Sequence, residues 1–132
     1  MPSRKLSDLA PEMAEKAEAL VRECDLAGIA LLITCTYRSN DEQAKAYAQG
    51  RTTPGAIVTH AKPGQSRHNL VNEQGQPASR AIDVVPIRNG KAVWDTSDPA
   101  WQNVADIGES LGLEWAGRWK RNREWAHFQL KE

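Results

Sequence analysis

The chain has 132 residues, 40% hydrophobic and 26% charged, which fits one compact globular domain with a single core. Its 17 basic and 17 acidic residues cancel, so composition gives no electrostatic reason to expect nucleic acid or an anionic membrane as the main partner. A domain of this size buries roughly two thirds of the surface its unfolded chain exposes; it needs neither disulfides nor oligomerisation, is expected to be a monomer, and binds any metal for function rather than for folding.

The first twenty residues have a basic start but no apolar stretch behind it, and no run of about 18 apolar residues occurs anywhere, so no export signal or membrane anchor is visible. Ser7 and Asp8 followed by LAPEMAEKAEALVRECDLAG predict an N-capped amphipathic helix, with Leu9, Met13, Ala17, Leu20, Val21 and Cys24 on one face and Gly28 as its stop. Ile29–Arg38 predicts a buried strand that delivers Tyr37 and Arg38 at its end. The two cysteines, Cys24 and Cys35, fall in this helix and strand, where a thiol behaves as a small buried hydrophobe.

Ser39 then caps a second helix, NDEQAKAYAQG, closed by Gly50. From Arg51 to Ser79 periodicity is lost among Gly, Pro, Thr, Gln and Asn, and long irregular segments inside compact domains are usually functional. AIDVVPIRNGKAVW reads as a strand, an Asn-Gly turn and a return strand. Asp98 and Pro99 start a third helix with Trp101, Val104, Ala105, Ile107 and Leu111 on one face and Gly112 as terminator. Arg118, Lys120, Arg121 and Arg123 form a local basic patch, and EWAHFQL alternates as a final strand. Helices and hairpin strands without a βαβ rhythm predict an α+β domain with a mainly antiparallel sheet, spanning residues 1–132 as one unit.

Three histidines occur: His60, His68 and His127. Zinc favours imidazole nitrogen and carboxylate oxygen, and a catalytic site leaves one position for water. His68 and Asp83 are 15 residues apart and His127 lies 44 further on, so the ligands must converge through the fold; by spacing alone, three unrelated polar residues is an equal reading. Asp83 lies inside the apolar run AIDVV, where an unpaired carboxylate is costly to bury and a metal is one of few partners that offsets the cost. The plain alternatives are a strand-start aspartate facing solvent and, for His127 between Ala126 and Phe128, a satisfied core histidine. Glu124 stands three residues before His127, on the opposite side of an ideal strand, so only a bulge or an irregular entry turns it toward the same centre. A carboxylate beside zinc suits peptide hydrolysis: the ion makes water acidic, and the carboxylate takes the proton and later delivers one to the leaving amine. Read in isolation, Glu124 is a solvated charge.

Together TYRSNDEQ at 36–43, SRH at 66–68, AID at 81–83 and EWAHF at 124–128 resemble the small zinc peptidases of peptidoglycan stem peptides. That family comprises D-alanyl-D-alanine carboxypeptidases and dipeptidases and L-alanyl-D-glutamate endopeptidases of phage endolysins, and its fold is shared with the hedgehog signalling domain. GRTTPGAIVTHAKPGQSRH and GLEWAGRWK also look like the endolysin branch, and the resemblance spans roughly Leu31 to Leu130.

The resemblance implies a hedgehog/DD-peptidase-like fold, with His68, Asp83 and His127 as zinc ligands and Glu124 as general base. It implies Arg38 as a substrate-side cation holding a carboxylate or developing oxyanion, assisted by Gln43, with Ser66 at the substrate or orienting His68; His60 has no matching role. The compact form of the family brings the aspartate about seven residues after the first histidine, whereas here the interval is 15, which requires VNEQGQPAS to loop out. Some members keep aspartate where Glu124 stands.

The function so implied is a zinc-dependent, endolysin-type peptidase cutting the L-alanyl-D-glutamate bond, held in the host cytoplasm until released to the wall. The rivals are a D-alanyl-D-alanine carboxypeptidase or dipeptidase, and a non-catalytic wall-binding module of the same fold.

Overall fold

A computed structural model describes residues 2–131 of the chain. The first helix, α1 (Pro11–Leu26), starts later than the Ser7/Asp8 cap predicts. Those two residues sit in a short 3-10 turn, Leu6–Asp8, and the N-cap is Ala10 without any side-chain cap. Proline is the reason: Pro11 lacks an N–H and fixes φ for the first helical position, and it pushes Ala10 into extended geometry, ψ 144°. Ala10 N–H then donates to Ser79 O, stitching the entry of α1 to the end of the long irregular segment.

Four strands form one antiparallel path in the order β1 (Ala30–Cys35), β2 (Ala81–Arg88), β5 (His127–Leu130), β4 (Leu113–Trp115), with β3 (Lys91–Ala92) paired to β2 beside that path. Because β1 is an edge strand, it is not the fully buried strand expected: Leu32 is 41% exposed. It also ends before Tyr37 and Arg38, and its register with β2 slips between Ile33 and Cys35. The Asn-Gly turn is present, with φ 53° at Asn89 and 74° at Gly90, the left-handed pair that a two-residue hairpin turn demands. The return strand β3 is only two residues long and exposed. Strand β4 had no counterpart among the predicted elements, since three residues are too few to show a period.

Alternation divides β2 and β5 into two faces. Ile82, Val84, Phe128 and Leu130 point into the core with Met13, Ala17, Leu20 and Cys24 of α1 and Val104 and Ala105 of α3 (Pro99–Ser110). Asp83, His127 and Gln129 have the opposite parity, which aims them away from α1 and α3. The helix α2 (Asn40–Ala48) carries the predicted Ser39 cap as a full capping box: Ser39 Oγ accepts from Glu42 N–H while Glu42 returns the bond to Ser39 N–H. Asp98 caps α3 by accepting from Ala100 N–H. Both cysteines are free and buried, as read from their positions. Among the described residues no helix is long and apolar enough to cross a membrane.

Candidate active site

His68, Asp83 and His127 arrive from three directions and meet. Asp83 and His127 face each other as register partners across β2 and β5. His68 sits in a 3-10 turn, Arg67–Asn69, capped by Ser66, whose Oγ accepts from His68 N–H. Its backbone O accepts from Arg38 N–H, which ties the turn to the chain just beyond β1. His68 Nε2 lies 3.1 Å and His127 Nδ1 3.4 Å from the same atom, Asp83 Oδ1, and the two rings pack edge to face with centroids 5.0 Å apart.

The outer nitrogen of each imidazole is already committed. His68 Nδ1 donates to Thr36 O at 2.9 Å, and His127 Nε2 donates to Gln129 Oε1 at 2.8 Å. Those bonds orient the rings and turn the inner nitrogens, His68 Nε2 and His127 Nδ1, toward one carboxylate oxygen. His68 Nε2 meets that oxygen at hydrogen-bond distance, a contact that is favourable only with a proton or a metal cation between them, and His127 Nδ1 is buried with no hydrogen-bond partner. Nitrogen, nitrogen and carboxylate oxygen form a donor set that fits a divalent ion of the zinc type. Burial works against charge on His68 and Asp83, yet each reverses the effect on the other: the carboxylate pushes His68 up to about 10, and the imidazole, with support from His127, holds Asp83 well below the usual carboxylate range. An ion competes for the place that this proton takes.

Cys35, read from the sequence only as a buried hydrophobe, stands opposite Asp83 in the register and offers a second arrangement, Cys35, His68 and Asp83, with ligand atoms within 4.8 Å of one another. Its Sγ approaches His68 at Nδ1, 3.6 Å away, the nitrogen already held by Thr36 O. The set that includes His127 uses the inner nitrogens, both turned to Asp83 Oδ1.

Arg38 and Gln43 lie behind this centre. Arg38 is 6% exposed; its Nη2 is 3.6 Å from Asp83 Oδ2, and its Nη1 donates to Gln43 Oε1 at 3.0 Å. Gln43 is fully buried and its Nε2 donates to Ala61 O and Thr59 Oγ1. Asn69, which the sequence did not single out, donates to Arg38 O at 2.8 Å and approaches Gln43 Oε1 at 3.3 Å. Its position directly after Ser-Arg-His was the available signal.

Glu124 reaches the front of the site through an irregular entry to β5: residues 125–126 are turn, and His127 N–H faces Glu124 O at 3.4 Å. That turn brings Glu124 Oε1 to 3.9 Å from His127 Nδ1, while Oε2 accepts weakly from His60 N–H at 3.5 Å. Glu124 and His60 stand between two clefts. One, about 290 Å³, is polar and includes Gln65, Ser66, Arg67 and Asn122. The other, about 280 Å³, is walled by Trp94, Trp101, Trp125, Ile57 and Val58. His60, an exposed loop histidine with no matching role in the resemblance, borders the site through its backbone N–H. VNEQGQPAS does loop outward: Val71 bridges Pro77, and residues 71–76 are exposed while His68 and Asp83 stay in contact. In the basic stretch, Arg118 is engaged by Glu109 and Asp106.

The VanY family model, described as D-alanyl-D-alanine carboxypeptidase, matches residues 6–123. The chain is 36% identical over 132 residues to the peptidoglycan L-alanyl-D-glutamate endopeptidase CwlK of Bacillus subtilis (strain 168), an alignment covering 94% of this chain and 74% of that enzyme. Among solved structures, the L-Ala D-Glu endopeptidase ChiX of Serratia marcescens superposes with a TM-score of 0.67 at 19% identity, covering 99% of this chain and 89% of the other. The vancomycin resistance D,D-pentapeptidase VanY, solved as an E175A mutant with Zn(II), superposes with a TM-score of 0.66 at 12% identity over 92% and 72% of the two chains. The α+β fold is therefore shared with peptidoglycan peptidases.

Proposed function

The chain belongs to the VanY (D-alanyl-D-alanine carboxypeptidase) family, and on that premise we propose that it is a zinc-dependent peptidoglycan endopeptidase cutting the L-alanyl-D-glutamate bond of the stem peptide. The observation that carries the metal reading is the convergence of two imidazole nitrogens, His68 Nε2 and His127 Nδ1, on Asp83 Oδ1, with His127 Nδ1 buried and without a hydrogen-bond partner. His68, Asp83 and His127 would hold the ion. When bound, it supplies a Lewis acid that polarises the scissile carbonyl and makes water acidic enough to lose a proton near neutral pH.

The chain's own residues do the rest. Glu124 accepts that proton at its carboxylate, beside His127, and delivers one to the departing amine. Arg38 orients Asp83 through Nη2, and Gln43 holds Arg38, so we assign both a positioning role in place of the direct substrate contact expected from the sequence. Ser66 fixes the turn that carries His68 and also lines the polar cleft. The choice of bond is supported by the similarity to CwlK. The stretches resembling endolysins support a lytic role in which the enzyme opens the cell by degrading its wall. Digestion of purified peptidoglycan, with products identified by mass, tests the bond: a new D-glutamyl amino terminus is expected, and release of free D-alanine alone overturns the assignment in favour of carboxypeptidase activity.

A further inference from the structure

Trp94 is 58% exposed, yet it has a rigid seat. Its ring lies over the buried Trp101, with centroids 6.3 Å apart and planes at 34°. Trp101 is fixed by its indole N–H donating to Val93 O at 3.0 Å and by an edge contact to Trp125. The turn beyond Trp94 is locked by Ser97, which donates twice to Asp95 Oδ1. Ile57 and Val58, 50% and 46% exposed, complete an apolar wall that runs to Asp83 and Glu124. Contiguous exposed apolar surface beside a reactive centre marks a ligand surface.

We propose that this indole-walled cleft is a carbohydrate subsite, taking the N-acetylmuramyl sugar attached to the amino side of the stem peptide. The inference rests on the stem-peptide endopeptidase reading above. A bond held at Glu124 sends its two sides into the two clefts that Glu124 separates. The carboxyl side bears carboxylates, which suit the cleft with Arg67, Asn122 and Gln65. The amino side is an uncharged lactyl amide followed by a pyranose. A pyranose offers one face of C–H bonds to an indole and hydroxyls at its edge, where Thr96 and the Arg123 guanidinium, 5.3 Å above the Trp125 ring, stand ready. A seated indole loses little rotamer freedom on contact, so the stacking energy is retained as affinity.

The test compares two substrates of identical peptide, one carrying N-acetylmuramic acid and one carrying only an N-acetyl cap. Wild-type enzyme is expected to favour the sugar-bearing substrate in kcat/KM by about tenfold, ~1.4 kcal/mol. In Trp94→Ala that ratio is expected to fall to within about twofold, and Trp94→Tyr to restore most of it. N-acetylmuramyl-L-alanine titrated into the full chain is expected to change tryptophan emission saturably in wild type but not in Trp94→Ala, and N-acetyl-L-alanine to leave wild type unchanged. Equal kcat/KM for both substrates in wild type, or a preference that survives Trp94→Ala, overturns the carbohydrate subsite alone. Failure to cut either substrate at the L-alanyl-D-glutamate bond overturns the functional reading and this inference with it.

Discussion

His127 and Glu124 are three residues apart yet share one side of the site, because the chain turns before it pairs. Replacing Glu124 with Gln keeps the size and removes the basicity, so kcat is expected to fall by about 10²–10⁴ while bound metal, measured by elemental analysis, is unchanged. A variant that retains wild-type turnover contradicts the base assignment. Gln43→Ala leaves Arg38 Nη1 buried beside a void, and the expected cost is about 1–3 kcal/mol of unfolding free energy in denaturant titrations. At this scale the sequence was most informative where a residue type was chemically incongruous, as Asp83 is within AIDVV. It was silent where the role depends on who stands behind whom: Asn69, Cys35 and His60 are ordinary in sequence and acquire their places only when Thr36, Arg38 and Glu124 are brought to them.

The elements are held by close approaches that sequence periodicity does not display. Gly108 in α3 lets the helix settle on β5: a Cβ there would lie 2.6 Å from Phe128 Cε2, a ring with no room to retreat in the core. Gly108→Ala is therefore expected to destabilise the protein by about 1–3 kcal/mol, read as a lowered thermal midpoint, despite alanine's better helix propensity. At the start of α3, paired hydrogen bonds from Arg88 and a third from Ala100 N–H hold the Asp98 carboxyl down to about 2. Since its folded value lies below the unfolded value of about 4, its contribution is present above pH ~4 and is lost as pH falls through about 2. Thermal melts of Asp98→Asn, which keeps a capping oxygen without the charge, should show a smaller acid-induced loss over that window. The caps of α2 and α3, the Asn-Gly turn and the outward loop were legible because each depends on a few adjacent residues. The late start of α1 and the edge position of β1 were not, because the entry of α1 is held by the bond from Ala10 N–H to Ser79 O, far along the chain, and edge status depends on which strands arrive elsewhere.

At the scale of the molecule, one sheet serves two purposes by parity. The face toward α1 and α3 is a dry core, and the face with Asp83, His127 and Gln129 is a polar site bordered by Arg38, held by Gln43 of α2, and by the long irregular segment. Burial also pushes the Cys24 thiol up to about 11, so it should resist thiol reagents near pH 8 until the chain is unfolded. The four sequence motifs lie in separate parts of the chain; the pairing of β2 with β5 and the turn that carries His68 bring two imidazole nitrogens to one atom, Asp83 Oδ1, while Arg38 approaches the neighbouring Oδ2. The most direct check on this account is the zinc stoichiometry of the purified chain measured alongside its peptidoglycan-hydrolysing activity, before and after chelation. One zinc per chain, loss of activity on chelation and recovery with one equivalent of zinc are expected, with His127→Ala failing to recover; a metal-free, folded chain that still hydrolyses peptidoglycan would contradict the account.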